Sequence, residues 1–443
     1  MADLQSEFRR TQIVPALALA LACVGAASMV YYHLGLFIPR TLQVRASIGL
    51  GNGYSFGGDF YPVWLTIRES RFWRIDLYSD EVTRQTQTGV FGHPLEPGNK
   101  LNLPSNYRQY AYPAFTDLLL WPCGLLDFPR LRIALTLLLV ALTAISIWMW
   151  LKALRWDLHP MWIASLIILT LSTYQLLDGF FALQPGLFVG FFLAVAALAL
   201  RSNRLMLSGS LCSLTLIKPQ VTALAIGFLL LWSLSDRTRA RFWQGFLATT
   251  TTLMIGSLWI WPHWVGEWIA VLRGYRSYAR PTLVNLVLGS TFPKYTAAIV
   301  IALVLIVSLV LMWKAREFDQ RAAKFWFVLS LLLALTTITL LPGQAMYDHF
   351  ILIPGILLLL RHRAQFHAKG PVPRILLLIG AVVLFWPWFS SFVLLVLRPL
   401  LSPEVFYSIP VFALPIRNVA SLPFAVIALL AWNWTSGVGL REA

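Results

Sequence analysis

The sequence predicts an all-α membrane protein whose helices cross the bilayer many times. Apolar residues make up 58% of the 443 positions, and charged residues only 12%. Apolar runs of about 18 or more residues recur along the chain, and a helix of that length crosses a bilayer. A transmembrane barrel would instead be encoded by alternating segments of about ten residues, and the sequence has none.

The formal net charge of +16 raises the question of a nucleic-acid partner. The basic residues, however, occur in short clusters between the apolar runs, as is typical of the cytoplasmic loops of membrane proteins. The sequence has no basic domain, zinc-finger spacing or RNA-binding motif. We therefore expect membrane lipids, and no nucleic acid, among the partners of the protein.

Twelve membrane spans are predicted. They cover roughly residues 11–36, 129–151, 160–177, 185–200, 204–217, 220–234, 242–262, 296–313, 325–341, 349–361, 373–397 and 416–434. With the N-terminus inside, every short basic cluster falls on the same side. The first apolar run is longer than the core of a signal peptide, so we expect that helix to be retained. The pattern predicts a multi-pass protein of a bacterial-type inner or cell membrane with both termini in the cytoplasm.

In this topology the two longest connections, 37–128 and 263–295, lie on the extracytoplasmic side. Short inner loops leave little room for chemistry, whereas long loops commonly hold functional residues. No internal repeat or Gly/Ser linker divides the chain. We therefore expect residues 1–443 to form one membrane domain, with its function on the outer side and the remaining spans in 129–434.

The first outer loop contains the sequence GGDFYPVW, with a carboxylate at Asp59. The apolar residues of Phe60–Ile67 fall at i, i+3, i+4 and i+7, which predicts a juxtamembrane helix lying flat on the bilayer with Asp59 at its start. A second apolar segment, 115–121, is too short to span and is expected to be re-entrant or to lie on the surface. A carboxylate at this boundary is placed to accept a proton from a substrate.

Further ionisable residues interrupt or end the apolar runs on the same side. Asp178 ends the third span and is followed by Gln184, Lys218 separates two spans, and Asp348 and His349 precede another. Ionisable residues at such positions are costly and are commonly functional. Together they predict a site with a candidate base, a fixed cation, a histidine and amide or carboxylate groups at one membrane depth.

The outer loop 263–295 adds arginines that alternate with tyrosines. They are Arg273, Tyr275, Arg276, Tyr278 and Arg280. Guanidinium groups at the level of the lipid headgroups suit a phosphate or pyrophosphate.

Each of these residues also has a structural interpretation. Asp59 and Asp178 are of the type that caps helices, and Lys218 is placed to extend its ammonium toward the interface. His349 is able to bridge helix ends, and the Arg/Tyr run is typical of an interfacial belt. The functional interpretation depends on their occurrence together on one side of the membrane.

Nothing in the sequence requires a cofactor. The three cysteines, Cys23, Cys123 and Cys212, have no metal-ligand spacing. The pair Asp80–Glu81 has no third ligand at a recognisable spacing, so we interpret it as a solvated turn. A divalent metal is therefore optional, and no metal site is predicted.

Five short motifs between about residues 50 and 360 occur in one order along the chain. They are Gly58–Tyr61, Tyr112–Pro113, the region of Gln184, Arg204…Leu211 continuing into Ile217–Pro219, and Tyr347–His349 before Phe350–Pro354. In these motifs the chain resembles glycosyltransferase family 87, whose members have the GT-C fold. The resemblance implies a GT-C-like helical bundle and a donor in which the sugar is linked to a polyprenyl phosphate, as in bacterial α-1,2-mannosyltransferases.

The resemblance also implies roles for individual residues. Asp59 is the expected general base, which deprotonates an acceptor hydroxyl as it attacks the sugar with inversion. The donor phosphate or other substrate groups are expected to bind a second set of residues. This set contains Tyr61, Gln184, Lys218, Arg273, Arg276, Asp348 and His349.

The predicted function is therefore transfer of mannose or another hexose from a polyprenyl-phosphate donor to a lipid or glycan acceptor. The alternative is a flippase or other transporter of lipid-linked sugars. A transporter is expected to show repeat symmetry and ionisable residues near the bilayer midplane, whereas here they gather at one boundary. A non-catalytic scaffold for envelope assembly explains neither Asp59 nor the polar residues on its side.

Overall fold

A computed structural model of the protein describes residues 2–47, 56–73, 76–96, 108–278, 281–289, 291–343 and 345–435. For residues 2–12, 71–73, 275–278, 294 and 435 it describes the backbone alone. Over these ranges the regular structure is helical, with no β-strand and one isolated bridge between Thr282 and Pro342. The predicted all-α class is confirmed.

The α-helices are numbered in chain order. They are α1 Ala2–Val30, α2 Ile38–Ser47, α3 Tyr61–Trp73, α4 Asp80–Phe91, α5 Phe115–Leu120, α6 Phe128–Ala153, α7 Pro160–Leu171, α8 Tyr174–Ala182, α9 Gly186–Arg201, α10 Leu205–Leu214, α11 Pro219–Leu234, α12 Ala240–Ile260, α13 Trp264–Tyr278, α14 Leu283–Gly289, α15 Lys294–Ala315, α16 Ala323–Thr339, α17 Ile353–Arg361, α18 Arg363–Ala368, α19 Pro371–Leu397, α20 Pro403–Phe406, α21 Ile409–Phe412 and α22 Leu422–Thr435. A π-helical segment, Tyr31–Phe37, joins α1 to α2.

Among the described helices, five are long and apolar enough to cross a membrane: Ile13–Ser47, Phe128–Ala153, Tyr295–Ala315, Pro371–Leu400 and Leu414–Trp434. The bent pair α7 and α8, which meet at 60°, would make a sixth. Several other predicted spans correspond to shorter apolar helices, including α9, α11 and α16. The chain is an integral membrane protein, and the count of twelve spans stays a prediction.

Two predicted boundaries change. The first helix does not end at residue 36 but continues through the π-helical segment to Ser47, well into the predicted loop 37–128. The predicted span 160–177 is broken between Leu171 and Tyr174, where the Thr173 hydroxyl accepts a hydrogen bond from Leu176 N and so caps α8.

The predicted basic loops meet at one end of the bundle, where arginines bind carbonyl groups at loops and helix ends. Arg201 donates to Gln320 O at 3.1 Å, and Arg239 donates to Arg316 O at 2.8 Å. Arg361 donates to the carbonyl of Leu154, which follows α6. Cations are favourable at helix C-termini because the carbonyls there lack intrahelical partners. We call this the basic end.

Helices α9 and α11 each begin near Lys218 and end at the basic end. Each has 16 residues, which corresponds to a length of about 24 Å at about 1.5 Å per residue. Gln184 and Lys218, just before these helices, therefore lie at the opposite end of the bundle from the arginine contacts.

The motif that contains Ser208–Ser210 brings three helices into close contact. A Cβ on Gly209 would lie 1.9 Å from the carbonyl oxygen of Phe242, so only glycine allows α10 to touch α12 here. Ser208 Oγ donates to Ala196 O of α9 at 2.8 Å, and Ser210 Oγ donates to Gly245 O of α12 at 3.2 Å. Small residues with hydroxyl groups are typical of such contacts between membrane helices.

Helix α3 has the predicted register but a different partner. Phe60 and Val63 are fully buried, and Trp64 and Ile67 are 8% and 5% exposed. They belong to the hydrophobic core shared with α5 and α6. The prediction that this face contacts the bilayer surface is therefore wrong, because the face packs into the protein.

Candidate active site

Asp59 is positioned by a glycine turn that binds the end of α8. Gly57 has φ +80°, in the left-handed region that favours glycine. Its N–H donates to Phe181 O at 2.8 Å. A Cβ at residue 57 would come within 2.9 Å of Leu183 Cδ1, so the turn needs glycine for conformation and for space. This contact places the Asp59 carboxylate beside the α8–α9 connection.

Gln184 is presented to Asp59 by the α8–α9 connection. Leu183 has a left-handed conformation with φ 55°, which ends α8. Gln184 N then donates to Gly179 O at 2.9 Å, and the residue is only 2% exposed. Its side-chain amide donates to Asp59 Oδ2. A residue expected to bind substrate therefore contacts the expected base.

Lys218 lies at a break between two helices. The 3₁₀ turn Thr215–Ile217 ends the α10 segment, and Pro219 begins α11. A residue before proline avoids the helical region, and Lys218 has φ −137° and ψ 74°. Its ammonium donates to Asp348 Oδ1 at 2.8 Å and Oδ2 at 2.7 Å, and to Gln184 Oε1 at 3.4 Å.

Asp348 is fully buried in the 3₁₀ segment Met346–Leu352. A Cβ on Gly186, the first residue of α9, would lie 2.7 Å from Asp348 Oδ1, so glycine lets the carboxylate approach this helix N-terminus. The helix dipole and Lys218 both stabilise the charge of the carboxylate. Tyr347 adds its ring, whose centroid is 5.0 Å from Lys218 Nζ.

Arg108 adds a cation to this site and is not among the residues predicted from the sequence. Its guanidinium donates to Asp59 Oδ1. Burial alone would lower the pKa of Arg108, but the charge of Asp59 and the hydrogen bond to it outweigh burial, so the pKa of Arg108 is raised. The side chains of Arg108 and Asp59 are 19% and 24% exposed. No motif surrounds Arg108 in the sequence, so no local signal marked it.

A continuous chain of hydrogen bonds thus runs from Arg108 through Asp59, Gln184 and Lys218 to Asp348. It contains two carboxylates and two cations, so its formal charges balance. Asp59 is the accessible carboxylate, since the Asp348 side chain is 0% exposed. We name these five residues the polar cluster. It offers a carboxylate able to accept a proton and two cations able to exchange partners with an anion.

Three of the predicted site residues lie outside the polar cluster. The Tyr61 ring packs 4.8 Å from Phe128, and its hydroxyl lies against Gly89, where a Cβ would be 2.1 Å away. His349 is 3% exposed and lines a cavity between α7, α17 and α19. Arg273 is exposed on α13.

Of three further residues singled out in the sequence, two fall outside the described residues in whole or in part, and one is buried in α8. The Arg276 side chain and Arg280 are outside the described residues. Asp178 is buried at 7% exposure within α8, which ends at the connection that holds Gln184.

The part of the chain that the structure describes contains no group of three or more His, Cys, Asp or Glu residues that could hold a metal ion. Asp80 and Glu81 form the exposed first turn of α4, where Glu81 pairs with Arg84 at 2.8 Å. Ser79 caps this helix, so the local sequence is accounted for by a helix start.

The sequence model of glycosyltransferase family 87 matches residues 110–342, which is more than half of the chain. No curated protein and no solved structure matches. Gln184 and Lys218 lie within the matched range, whereas Asp59 and Arg108 precede it and Asp348 follows it. The resemblance seen in the short motifs is confirmed. The chain belongs to glycosyltransferase family 87, and it is a membrane glycosyltransferase.

Proposed function

We propose that the protein transfers mannose or another hexose from a polyprenyl-phosphate donor to a hydroxyl of a lipid or glycan acceptor. Asp59 acts as the general base, and the reaction inverts the anomeric configuration. The observation that supports this proposal most is the accessible Asp59 carboxylate at the head of the polar cluster. The family membership supports the sugar transfer itself.

Base catalysis by a carboxylate contributes roughly 10²–10⁴-fold to such a reaction. Asp59 accepts hydrogen bonds from Arg108 and Gln184, which hold its carboxylate in one orientation. The leaving phosphate carries its own negative charge and needs stabilisation rather than a proton. One base therefore suffices, and a second carboxylate acting as acid is not required.

The donor phosphate would bind by exchanging partners within the polar cluster. Arg108 is bound to Asp59, and a guanidinium binds phosphate in a bidentate manner. When the phosphate takes Arg108, Asp59 becomes free to bind the acceptor hydroxyl. Lys218 supplies a second positive charge that Asp348 holds in place. Arg273 and Arg276 on α13 are proposed to attract the phosphate at the headgroup level.

We further propose that the polar cluster faces the extracytoplasmic side of a bacterial-type inner membrane and that both termini are cytoplasmic. The arginine contacts at the opposite end support this orientation through the positive-inside rule. Thr88 and Arg237 are exposed, on α4 and at the basic end. A cysteine at position 88 should react with an impermeant reagent outside cells, and one at 237 should not; the reverse pattern would contradict the orientation.

Purified protein in vesicles tests the proposed reaction. It would receive a membrane lipid acceptor and polyprenyl-phosphate-mannose, polyprenyl-phosphate-glucose or GDP-mannose. We expect transfer from a lipid-linked donor only, with inversion at the anomeric carbon by NMR. Transfer from the nucleotide sugar would contradict the proposed donor. Movement of the lipid-linked sugar across the vesicle without transfer would indicate the transporter.

A further inference from the structure

A cavity lies beside the polar cluster, between α7, α17 and α19. It encloses about 690 Å³ of empty space, including its opening. Phe385 of α19 lines it and is 46% exposed, so the cavity reaches the outer surface of the bundle. No residue of the polar cluster lines it.

The residues that line the cavity follow the helices over about two turns. On α17 it is lined by Ile353, Ile356, Leu357 and Leu360, which share one face of that helix. The first and last of these are separated by about 10 Å at about 1.5 Å per residue. A slot of this shape suits an extended chain that lies parallel to the membrane helices.

The polar residues of the lining gather at one end of the slot. Helix α17 runs from His349 toward the basic end, and α7 runs in the opposite direction along the chain, from the basic end toward Thr173. Thr170, Thr173 and Gln175 therefore lie at the same end as His349, whereas Leu166 and Leu360 lie toward the basic end. The cavity is apolar along its length and polar at the end next to the candidate active site.

His349 places two unpartnered ring nitrogens at this polar end. The residue is 3% exposed, and neither ring nitrogen has a hydrogen-bond partner. Buried polar atoms are nearly always hydrogen-bonded, so an unpartnered imidazole that lines a cavity indicates a missing ligand group. His349 directly follows Asp348, whose carboxylate binds Lys218. A group bound at His349 would therefore lie beside the polar cluster.

We propose that this slot binds the isoprenoid chain of the lipid donor, with the oxygen-bearing end of the chain at His349 and the hydrocarbon extending along α17. The inference rests on the proposed function for the identity of the lipid. An amphiphile is required because the lining is apolar over most of its length and polar at one end. The donor chain is chosen over a bilayer acyl chain because the polar end adjoins Asp348 and Lys218.

Photo-crosslinking of the full-length protein in vesicles tests the binding directly. The first probe is a polyprenyl phosphate with a diazirine in the isoprene units next to the phosphate and no sugar. The second is a phosphatidylglycerol with a diazirine in its acyl chain. We expect the first probe to label 166–176 and 353–360 and to be displaced by plain polyprenyl phosphate. Absence of label there, or labelling by the phospholipid that polyprenyl phosphate does not displace, would overturn the proposal.

Cavity-filling variants add a matched comparison. Ile356→Phe enlarges a wall residue and should lower labelling by the prenyl probe about tenfold, from the usual cost of overfilling a site. Leu137→Trp is the control, because Leu137 is 66% exposed on the outside of α6. His349→Phe keeps an aromatic ring and removes both nitrogens, so it should reduce the preference for polyprenyl phosphate over polyprenol, while the part of that preference due to Arg108 and Lys218 remains. Equal labelling of wild type and Ile356→Phe would count against the slot.

The two proposals fail in distinguishable ways. If the wild-type protein transfers no sugar from any polyprenyl-phosphate donor but the prenyl probe still labels the slot, only the proposed reaction is wrong. If transfer occurs and the label lies on other helices, only the slot is wrong. The Asp59→Asn variant separates them further, since it should lose transfer and keep the label.

Discussion

Gln184 donates its side-chain amide to Asp59, although the two residues are 125 positions apart in the chain. The oxygen of the same amide accepts a hydrogen bond from Lys218 at 3.4 Å. Because the amide nitrogen donates one hydrogen bond and the amide oxygen accepts another, the orientation of the amide is fixed. Gln184 therefore connects the exposed carboxylate of the polar cluster to its buried ion pair.

We expect Gln184→Glu to lower kcat strongly, because it places a second carboxylate against Asp59. Gln184→Leu removes both hydrogen bonds and should cost about 1.5–3 kcal/mol, or roughly 10- to 100-fold in rate. Steady-state kinetics with a fixed donor measure both effects. Gln85→Glu, on α4, is the matched control. Wild-type rates for both Gln184 variants would show that the contact is unimportant for catalysis.

The Lys218–Asp348 ion pair is expected to affect the stability of the protein as well as its activity. Lys218→Met leaves the buried Asp348 charge unpaired, and Asp348→Asn does the same to Lys218, so each single change should destabilise the protein by about 3–5 kcal/mol. The double variant should recover much of the stability and none of the activity. Thermal unfolding in detergent and the transfer assay report the two properties. Additive losses of stability in the double variant would contradict the pairing.

Substitutions at two glycines distinguish the effect of a close contact from the effect of helix propensity. Gly186→Ala would place a Cβ 2.7 Å from Asp348 Oδ1, whereas Gly266→Ala meets nothing within 4 Å. We expect Gly186→Ala to displace Asp348 and to reduce transfer at least about tenfold. Gly266→Ala should be neutral or slightly stabilising, since alanine favours helix. Equal activity of the two variants would show that the approach of Asp348 to α9 is not needed.

A buried carboxyl in α5 predicts a pH dependence of stability. Burial raises the pKa of Asp117 from 3.8 to about 7, and the hydrogen bond that the Tyr110 hydroxyl donates to it offsets this only in part. The folded protein therefore keeps a proton that the unfolded chain releases between about pH 4 and about pH 7. Stability falls as the pH rises through this window, by up to about 4 kcal/mol in total.

Asp117→Asn should remove that dependence because the amide does not titrate. Between about pH 5 and about pH 8, the midpoint of thermal unfolding should fall in wild type and should fall less in the variant. Asp80→Asn, at an exposed position on α4, should follow wild type. A wild-type midpoint that rises over this range would have the wrong sign and would reject the explanation.

Local patterns in the sequence predicted those features that depend on neighbouring residues. The spacing of Phe60–Ile67 predicted α3 and its buried face, because helical periodicity is a local property. The break at Lys218–Pro219 also follows from the proline alone. The predicted set of Asp59, Gln184, Lys218 and Asp348 is indeed brought together, although each lies on a different segment.

The remaining features depend on tertiary contacts. Arg108 contacts Asp59, which lies 49 positions earlier in the chain, so no local periodicity marks it. The sequence places Asp348 and His349 at the same membrane depth, and both are predicted to bind substrate groups. In a 3₁₀ segment successive side chains point about 120° apart, so the two residues face different surroundings. The burial of α3 against protein rather than lipid likewise depends on α5 and α6, which the pattern of α3 does not contain.

The most direct test of the central claim is single-turnover transfer by Asp59→Asn with the lipid-linked donor and acceptor in excess. The variant keeps the size of the side chain and removes its ability to accept a proton. Transfer should fall by roughly 10²–10⁴-fold while crosslinking to the prenyl phosphate probe is retained. The control Glu81→Gln, which removes an exposed carboxylate on α4, should transfer at the wild-type rate. Transfer by Asp59→Asn at that same rate would show that Asp59 is not the base.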